Sequence, residues 1–303
     1  MSLTIGNRIE YNPSIGLTKI NDYLLNRKQI NYFPFLNVSY NYSDNDNINL
    51  SFSKRINRPR FKNLMPFIYY IDPYTQILGN PNLRSSIINQ IEFQYIKNHK
   101  YIFSLGYSLT NKSIYQTPYQ ENTNLSSFFK PINIDKMHSF SFSSNLSNEI
   151  TKWWYFNVNA ILYFNKVNSS SDNIIIDSSN WSGQFVTTNI FSLPKKIKLE
   201  ITSDYTTPAI KGPYKTLDLF SLNASVSRSF FENNLRISII GNDILKTYNV
   251  NNYSIIENQN IKINQFFDTH WVRLSIVYKF NKGIKKNSLD NDKITDEIKS
   301  RTK

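Results

Sequence analysis

The side chains that could do chemistry in this 303-residue chain are few and widely separated. The three histidines, His99, His138 and His270, show none of the short spacings with which two imidazoles hold a metal ion. No nucleophile-presenting turn accompanies the serines, and the single Gly79 of the Gly-Asn-Pro stretch lacks the partners of a phosphate-binding loop. The sequence therefore predicts neither a nucleophile nor a metal site.

The sequence gives equally little indication of catalytic carboxylates or of cysteine-based sites. Glu200, Asp204 and Asp218 lie close in sequence, but side chains that face a wet interior or a loop explain them better than a catalytic pair does. There is no cysteine, so disulfides and thiolate ligands are excluded. We expect a protein that is not an enzyme and has no cofactor, and its class must come from its structural elements.

The clearest pattern is strict alternation. In WWYFNVNAILYFN (153–165), apolar side chains occupy the even positions from Trp154 to Phe164, while Asn157 and Asn159 occupy the opposite face of an extended chain. One such strand could belong to a soluble sandwich, but the pattern recurs along the whole chain. The other alternating segments are 36–42, 48–52, 91–95, 101–109, 139–143, 197–202 and 272–280.

The connections between these segments alternate strictly between short and long, as periplasmic turns and extracellular loops do in outer-membrane barrels. The segments span about ten residues, enough to cross a bilayer as tilted strands. The sequence predicts an all-β, antiparallel transmembrane β-barrel with about twelve strands here, the first near 2–11 and the last near 268–280. The short connections are 43–46, 97–100, 147–152, 193–196 and 231–234; the long ones are 12–30, 57–86, 111–136, 166–183, 206–217 and 244–267.

Composition and charge agree with a single barrel domain over 1–280, followed by a polar, Lys-rich tail over 281–303 that we expect in the periplasm. No stretch approaches the roughly 18 apolar residues of a membrane helix. The formal charge of +13 is spread along the chain without a clustered patch, which argues against nucleic acid. Outer-membrane lipid and lipopolysaccharide are the expected surroundings.

Aromatic residues concentrate near the short turns, where amphipathic rings suit a membrane interface. They predict a periplasmic aromatic girdle formed by Tyr42, Tyr101, Trp153, Trp154, Tyr155 and Phe230.

The stretch 51–83, SFSKRINRPRFKNLMPFIYYIDPYTQILGNPNL, resembles a segment of the outer-membrane β-barrel proteins related to TonB-dependent receptors. In that family a strand ending in a basic Ile-x-Arg-Pro pattern precedes a loop with Pro-Phe and Gly-Asn-Pro elements; Phe52 replaces the usual Tyr. The resemblance implies a family-motif loop, structural or ligand-facing, whose residues are Arg55, Arg58, Pro59, Pro66, Phe67, Gly79, Asn80 and Pro81.

Two further elements resemble the same family. GNDIL (241–245) is similar to its penultimate-strand Asp-Ile element, and 268–280 to its closing strand. By resemblance, that strand is the signal read by the outer-membrane assembly machinery. Its signal residues here are Leu274, Ile276, Tyr278 and Phe280.

Complete members of this family are expected to carry a signal peptide, a plug and about 22 strands. Residues 1–12 instead begin directly in a strand pattern, so we expect the C-terminal part of such a barrel. The implied partners are a separately encoded plug and an inner-membrane energising complex, with an unknown substrate. The chain itself would be located in the cell outer membrane.

Three functions fit these observations. The first is the barrel portion of a TonB-dependent-receptor-like protein that takes up a nutrient across the outer membrane. The second is a structural or adhesive outer-membrane barrel, or a non-transporting remnant, that binds an external partner through its long loops. The third is an extracellular soluble β protein.

Charges placed on the two faces of 153–165 should have different costs. We expect Leu162→Arg to destabilise the barrel by about 2–4 kcal/mol, because its guanidinium would face hydrocarbon near the bilayer midplane. Asn159→Arg, on the wet face, should cost much less. Urea unfolding of the protein in lipid vesicles measures both, and equal costs would contradict the assignment of faces.

Overall fold

The computed structural model describes residues 1–18, 23–121, 126–171, 174–256 and 260–280. The predicted tail, 281–303, lies outside these residues. Within the described ranges, no helix is both long and apolar enough to cross a membrane.

The main sheet of the described residues has fourteen strands, and twelve of them follow one another in antiparallel pairs in the order β1-β2-β3-β6-β7-β8-β9-β10-β11-β14-β15-β18. Within the described residues, β1 pairs only with β2 and β18 only with β15. The number of strands and their antiparallel pairing confirm the predicted architecture. The strands are β1 (Ser2–Thr18), β2 (Tyr23–Asn41), β3 (Asn47–Asn57), β6 (Ser86–Lys97), β7 (Tyr101–Glu121), β8 (Ser126–Thr151), β9 (Trp154–Ser171), β10 (Ile174–Leu193), β11 (Ile197–Thr206), β14 (Leu219–Phe230), β15 (Leu235–Asn242) and β18 (Trp271–Tyr278).

The remaining elements lie in the connections. The short helix α1 (Phe61–Leu64) and the hairpin of β4 (Ile68–Asp72) and β5 (Thr75–Leu78) lie between β3 and β6, and a 3₁₀ turn (Phe231–Asn233) joins β14 to β15. A separate four-stranded sheet consists of β12 (Ala209–Lys211), β13 (Tyr214–Thr216), β16 (Asn249–Ser254) and β17 (Lys262–Phe266).

The two faces of the main sheet differ as the alternation predicts. On the apolar face, Leu105 is 56% exposed and Ile276 is 62% exposed, although both lie mid-strand. Large apolar side chains that find no protein neighbour are suited to lipid. On the opposite face, the Asn157 side chain donates to Ser147 Oγ at 2.7 Å, and such polar bonds continue from strand to strand.

Three of the long connections are shorter than predicted, because the strands continue through them. The expected loops 12–30, 111–136 and 166–183 are mostly strand, with β7 reaching Glu121 and β8 starting at Ser126. The error has a physical origin: the bilayer fixes only how much of a strand must be apolar. Beyond that length the ladder continues in water with polar side chains, and alternation no longer marks it.

The ends of these long strands that lie away from the short turns, which we call the outer ends, contain the buried apolar core of the molecule. Side chains from β8, β9 and β10 pack there against residues of the small sheet and its flanks. We call this group the cap core. Its members are Ile132, Ile134, Val167, Ile174, Ile176, Ile210 and Ile256.

For the cap core to form, the even-numbered side chains of β8 must change from the exposed face to the buried side partway along the strand. Phe140 is 51% exposed, whereas Ile134 is fully buried, although both occupy even positions of one strand. Between them, opposite Asp135, Lys112 of β7 adopts a φ of 56°, and its ammonium lies 2.5 Å from the Asp135 carboxylate. A left-handed residue within a strand twists the backbone locally. The reversal therefore turns apolar side chains inward at the outer end.

A tyrosine ties the small sheet to the long strands. The Tyr214 hydroxyl donates to the backbone carbonyl of Gln116 on β7 at 3.0 Å. Burial raises the pKa of Tyr214 to about 12, so the donor proton stays in place at any physiological pH. Gly212, with a φ of 59°, precedes it and lies so close to the Tyr115 ring that a Cβ would stand 2.6 Å from it.

The Asp-Ile element forms a tight corner after β15. Asp243 is buried, and its carboxylate accepts the Thr269 hydroxyl at 2.7 Å and the Thr247 amide at 3.1 Å. Its backbone amide donates to Asn223 Oδ1 at 2.8 Å. The element therefore holds three segments together at the outer end of β15.

Most of the predicted girdle residues lie at or beside the short turns. Trp153 and Trp154 pack against Phe191, each with its ring centroid 6.0 Å away, and the Trp154 indole donates to Asn189 at 3.1 Å. Alternation places Tyr155 on the opposite face of β9 from Trp154, and the girdle stays a prediction. Of the others, Tyr42 is exposed at the β2–β3 turn, and Tyr101 and Phe230 lie at strand ends.

The closing strand is shorter than predicted. It spans Trp271–Tyr278 rather than 268–280, so Phe280 lies beyond it, 85% exposed and edge-on to Tyr278 at 4.6 Å. Leu274 and Ile276 share the apolar face with Tyr278. One further bond continues this register, because the Lys279 amide donates to the Asn234 carbonyl at 2.7 Å.

The two neighbouring isoleucines of β10 offer a matched test of the cap core. Ile176→Ala should destabilise the outer end by about 2–5 kcal/mol, since it opens a cavity among buried side chains. Ile175→Ala, at a position 63% exposed, should change little. Hydrogen exchange at 209–216 reports the difference; similar protection in both variants would show that the small sheet does not depend on the cap core.

Candidate functional site

The family-motif residues concentrate in one ordered segment at the outer end of the sheet, between β3 and β6. We call residues 58–85 the strap. It contains α1, β4 and β5, and β5 pairs in parallel with the outer end of β8, from Thr75 opposite Ser127 to Ile77 opposite Phe129. Because β7 lies between β6 and β8 in the sheet, the strap crosses β7 to reach this partner.

The Gly-Asn-Pro element fastens the base of the strap. A Cβ on Gly79 would stand 1.7 Å from the Met65 carbonyl oxygen, so only glycine allows this approach of two backbones. Asn80 is buried, and its side chain donates to the Pro131 carbonyl of β8 at 2.9 Å. Its backbone amide donates to the Asn63 carbonyl at 2.7 Å.

Two arginines connect the strap to the first strands. The Arg27 guanidinium of β2 donates to the carbonyls of both Pro81 and Leu83. The Arg58 guanidinium lies 2.6 Å from the Glu10 carboxylate of β1, and that carboxylate is also 3.0 Å from Arg8. Arginine suits both roles because its planar fork can donate to two acceptors at once. Arg58 therefore has a bracing position rather than one open to ligand.

The remaining motif residues divide between strand and strap. Arg55 is exposed on β3, opposite Ile88, while Pro59, Pro66 and Phe67 are half-buried at the base of the strap. Four prolines, each with a fixed φ, lie within the strap. Its tyrosines are largely exposed: Tyr69, Tyr70 and Tyr74 are 52%, 67% and 65% exposed. They belong to the hairpin of β4 and β5, in which β5 pairs with β8.

An open cavity of about 800 Å³ lies between the strap, β7, β8 and β17. Its wall is mainly apolar, with polar groups at Lys62, Asn63 and Gln116. The Gln116 Nε2 is buried and has no hydrogen-bond partner in the described part of the chain, and thus remains available as a donor. The lining residues are Lys62, Asn63, Tyr69, Ile71, Ile77, Leu78, Gly79, Gln116, Phe129 and Ile263.

Only Gly79 of the motif residues lines this cavity, so the sequence missed most of it. Its wall comes from four separate segments, which contact one another only through the strap crossing and the cap. No spacing of residues in the sequence indicates that Gln116 or Ile263 lines a cavity. The ionisation of the carboxyl at the strap tip also depends on the fold. The Tyr74 amide donates to the Asp72 carboxylate at 2.8 Å and holds the pKa of that carboxyl below its usual value.

Among the described residues, no three histidine, cysteine, aspartate or glutamate side chains come close enough to hold a metal ion. His138 contacts the Tyr107 hydroxyl at 2.9 Å, and the His270 ring bonds to the Asp243 carbonyl at 2.9 Å. His99 lies in the β6–β7 turn. The histidines thus occupy three unrelated places.

An antiparallel sheet with one lipid-facing surface, one polar surface and tight turns at a single end defines an outer-membrane β-barrel. Residues 1–278 match the Outer membrane protein beta-barrel family, and the chain belongs to that family. This match confirms the resemblance carried by the 51–83 motif and places the chain in the outer membrane.

Solved structures show the same fold. The siderophore receptor PirA from Pseudomonas aeruginosa superposes with a TM-score of 0.53 at 13% identity, over 79% of this chain and 42% of PirA. The copper transporter OprC superposes with a TM-score of 0.57 at 11% identity, over 90% of this chain and 45% of OprC. The chain thus spans less than half the length of either protein.

The names of these two neighbours describe a receptor and a transporter. No curated protein matches the sequence.

Gly79 provides the sharpest test of the strap. Gly79→Ala should release its base, because the new methyl group would overlap the Met65 carbonyl, a backbone atom that cannot rotate away. We expect rapid proteolysis within 60–82 in the assembled protein. Gly106→Ala is the control, since its methyl group would meet only the rotatable Ser141 hydroxyl. Equal resistance of the Gly79 variant would show that the close approach is dispensable.

Proposed function

We propose that this chain forms part of the wall and outer ligand-binding surface of a TonB-dependent-receptor-like protein that takes up a nutrient across the outer membrane. The observation that carries the proposal is the cavity of about 800 Å³ beneath the strap. It opens at the outer end of the sheet, where a ligand from the medium arrives first. Its volume lies within the range of small-molecule sites.

The lining suggests the chemistry of the ligand. Ile71, Ile77 and Phe129 offer apolar contact, while the Lys62 ammonium and the free Gln116 amide offer donors. A compound with an apolar or aromatic body and one or two acceptor groups, such as a carboxylate or a carbonyl, would satisfy both. Among the described residues, the lining contains no carboxylate, so a free cation is a poor match.

Transport would require parts supplied by other segments or chains. We propose a plug that closes the barrel and an inner-membrane complex that supplies energy to move it. The polar inner face, with Asn157, Ser147 and Gln184 in hydrogen-bonded ladders, would provide a wet surface for both plug and ligand.

A cavity-filling substitution tests the uptake proposal. Ile77→Trp should block the site, because Ile77 lines the cavity and is 36% exposed. Ile68→Trp, on the same strap but away from the cavity and 51% exposed, is the control. Cells carrying each variant as the only copy are grown on nutrients for which disruption of the gene slows growth.

We expect Ile77→Trp to reproduce the disruption phenotype, with unchanged amounts of protein in the outer membrane, and Ile68→Trp to grow normally. Normal growth of the Ile77 variant would exclude the cavity as an uptake site. If disruption slows growth on no nutrient, the uptake function itself is wrong.

A second function, adhesion, has its own support in the strap tip. Tyr70 and Tyr74 are 67% and 65% exposed and do not line the cavity, and exposed aromatic side chains are of the kind that protein partners cover. If adhesion is the function, Tyr70→Ser with Tyr74→Ser should reduce attachment to surfaces or cells while growth on every nutrient stays normal.

A further inference from the structure

The register of the main sheet brings four aromatic side chains into one row on its lipid-facing surface. Tyr107 lies opposite Phe140, Phe140 opposite Phe164, and Phe164 opposite Trp181. The ring centroids of Tyr107 and Phe140 are 4.6 Å apart, and those of Phe164 and Trp181 are 5.2 Å apart. Trp181 is 73% exposed. Such a row is typical of the boundary between hydrocarbon and headgroups.

Immediately beyond this row, three basic side chains share the same surface. His138 lies opposite Lys166, and Lys136 follows the alternation of β8 onto the face of His138. The Tyr107 hydroxyl lies 2.9 Å from His138 Nδ1, which fixes the imidazole against the aromatic row. We call Lys136, His138 and Lys166 the basic cluster.

The basic cluster lies at the height of the outer-leaflet headgroups. Lys166 follows Trp154, at the inner end of β9, by twelve residues. At a strand tilt near 45°, that length rises by about 28 Å, just beyond an apolar band of about 25 Å. The cluster is therefore out of the hydrocarbon but within reach of phosphate groups at its surface.

The lysines of the cluster are exposed and uncompensated. Within the described residues, the ion pairs involve neither Lys136 nor Lys166. Asp135 pairs with Lys112 instead. On this face Asp177 accepts a hydrogen bond from Asn168 at 2.7 Å, one row further out.

Below the basic cluster the wall is indented. A groove of about 480 Å³ lies among the apolar side chains of β6 to β10. In the outer membrane this surface can meet only lipid. The groove is lined by Leu105, Tyr107, Phe140, Phe142, Leu162 and Trp181, among others.

We propose that this surface binds a phosphorylated glycolipid of the outer leaflet. Its phosphates contact Lys136, Lys166 and His138, and one acyl chain lies in the groove beneath them. Charge complementarity selects an anionic headgroup, and the adjoining groove selects a lipid over a free anion. The proposal rests on the location of the barrel in the outer membrane and is independent of the uptake function.

The test is native mass spectrometry of the full-length protein in detergent, titrated with diphosphorylated lipid A. Lys136→Gln with Lys166→Gln should weaken binding about tenfold or more, since each lysine near an anionic lipid surface contributes substantially. The control is Lys97→Gln with Lys100→Gln, two exposed lysines at the opposite end of the barrel. Heat-modified mobility on gels verifies that every variant is folded.

Two further arms separate headgroup from chain. Lipid A with its phosphates removed should bind weakly, and inorganic phosphate at the same concentration should not compete. Leu105→Trp, which fills the groove, should weaken binding, whereas Ile276→Trp on a distant lipid-facing strand should not. Unchanged binding by the double lysine variant, equal binding of the dephosphorylated lipid, or competition by inorganic phosphate would each overturn the proposal.

Discussion

The structure depends on one constraint: a backbone amide or carbonyl in hydrocarbon must find its hydrogen-bond partner within the protein. Twelve consecutive strands meet it by pairing with their neighbours, and the apolar face needs no further protein contacts because lipid covers it. The two outermost strands, β1 and β18, have one ladder partner each within the described residues. Their free edges must also be covered in the membrane, by each other or by other strands.

Outside the bilayer, water can satisfy backbone hydrogen bonds, and contacts between side chains hold the segments in position instead. The strap is anchored by few but well-placed groups: Arg27, Asn80 and the Arg58–Glu10 pair. The cap core adds buried isoleucine and valine, which supply the hydrophobic contact that the lipid-facing strands lack. These contacts hold the outer end of the sheet together without any contribution from the membrane.

The sequence predicted those parts that the bilayer dictates. Alternation in 153–165 identified the two faces of β9, and the short turns fixed the count and direction of the strands. The outer part was predicted poorly, because strands in water carry no apolar stripe and 111–136 read as a loop. The cavity depends on contacts between residues far apart in the chain, such as Asn80 with Pro131, which local patterns do not encode.

The parallel pairing of β5 with β8 also imposes an order in time. The other neighbours along the main sheet are antiparallel and follow one another in chain order, so each strand can pair with a strand that precedes it in the chain. β5 can pair only after β6, β7 and the start of β8 are in position, because its partner segment, Ser127–Phe129, comes later in the chain. Closing such a distant contact is slow compared with closing a hairpin. During biogenesis the antiparallel strands of the wall would therefore pair first and the strap would dock last. For a brief interval the wall would be formed while the strap did not yet cover its outer end.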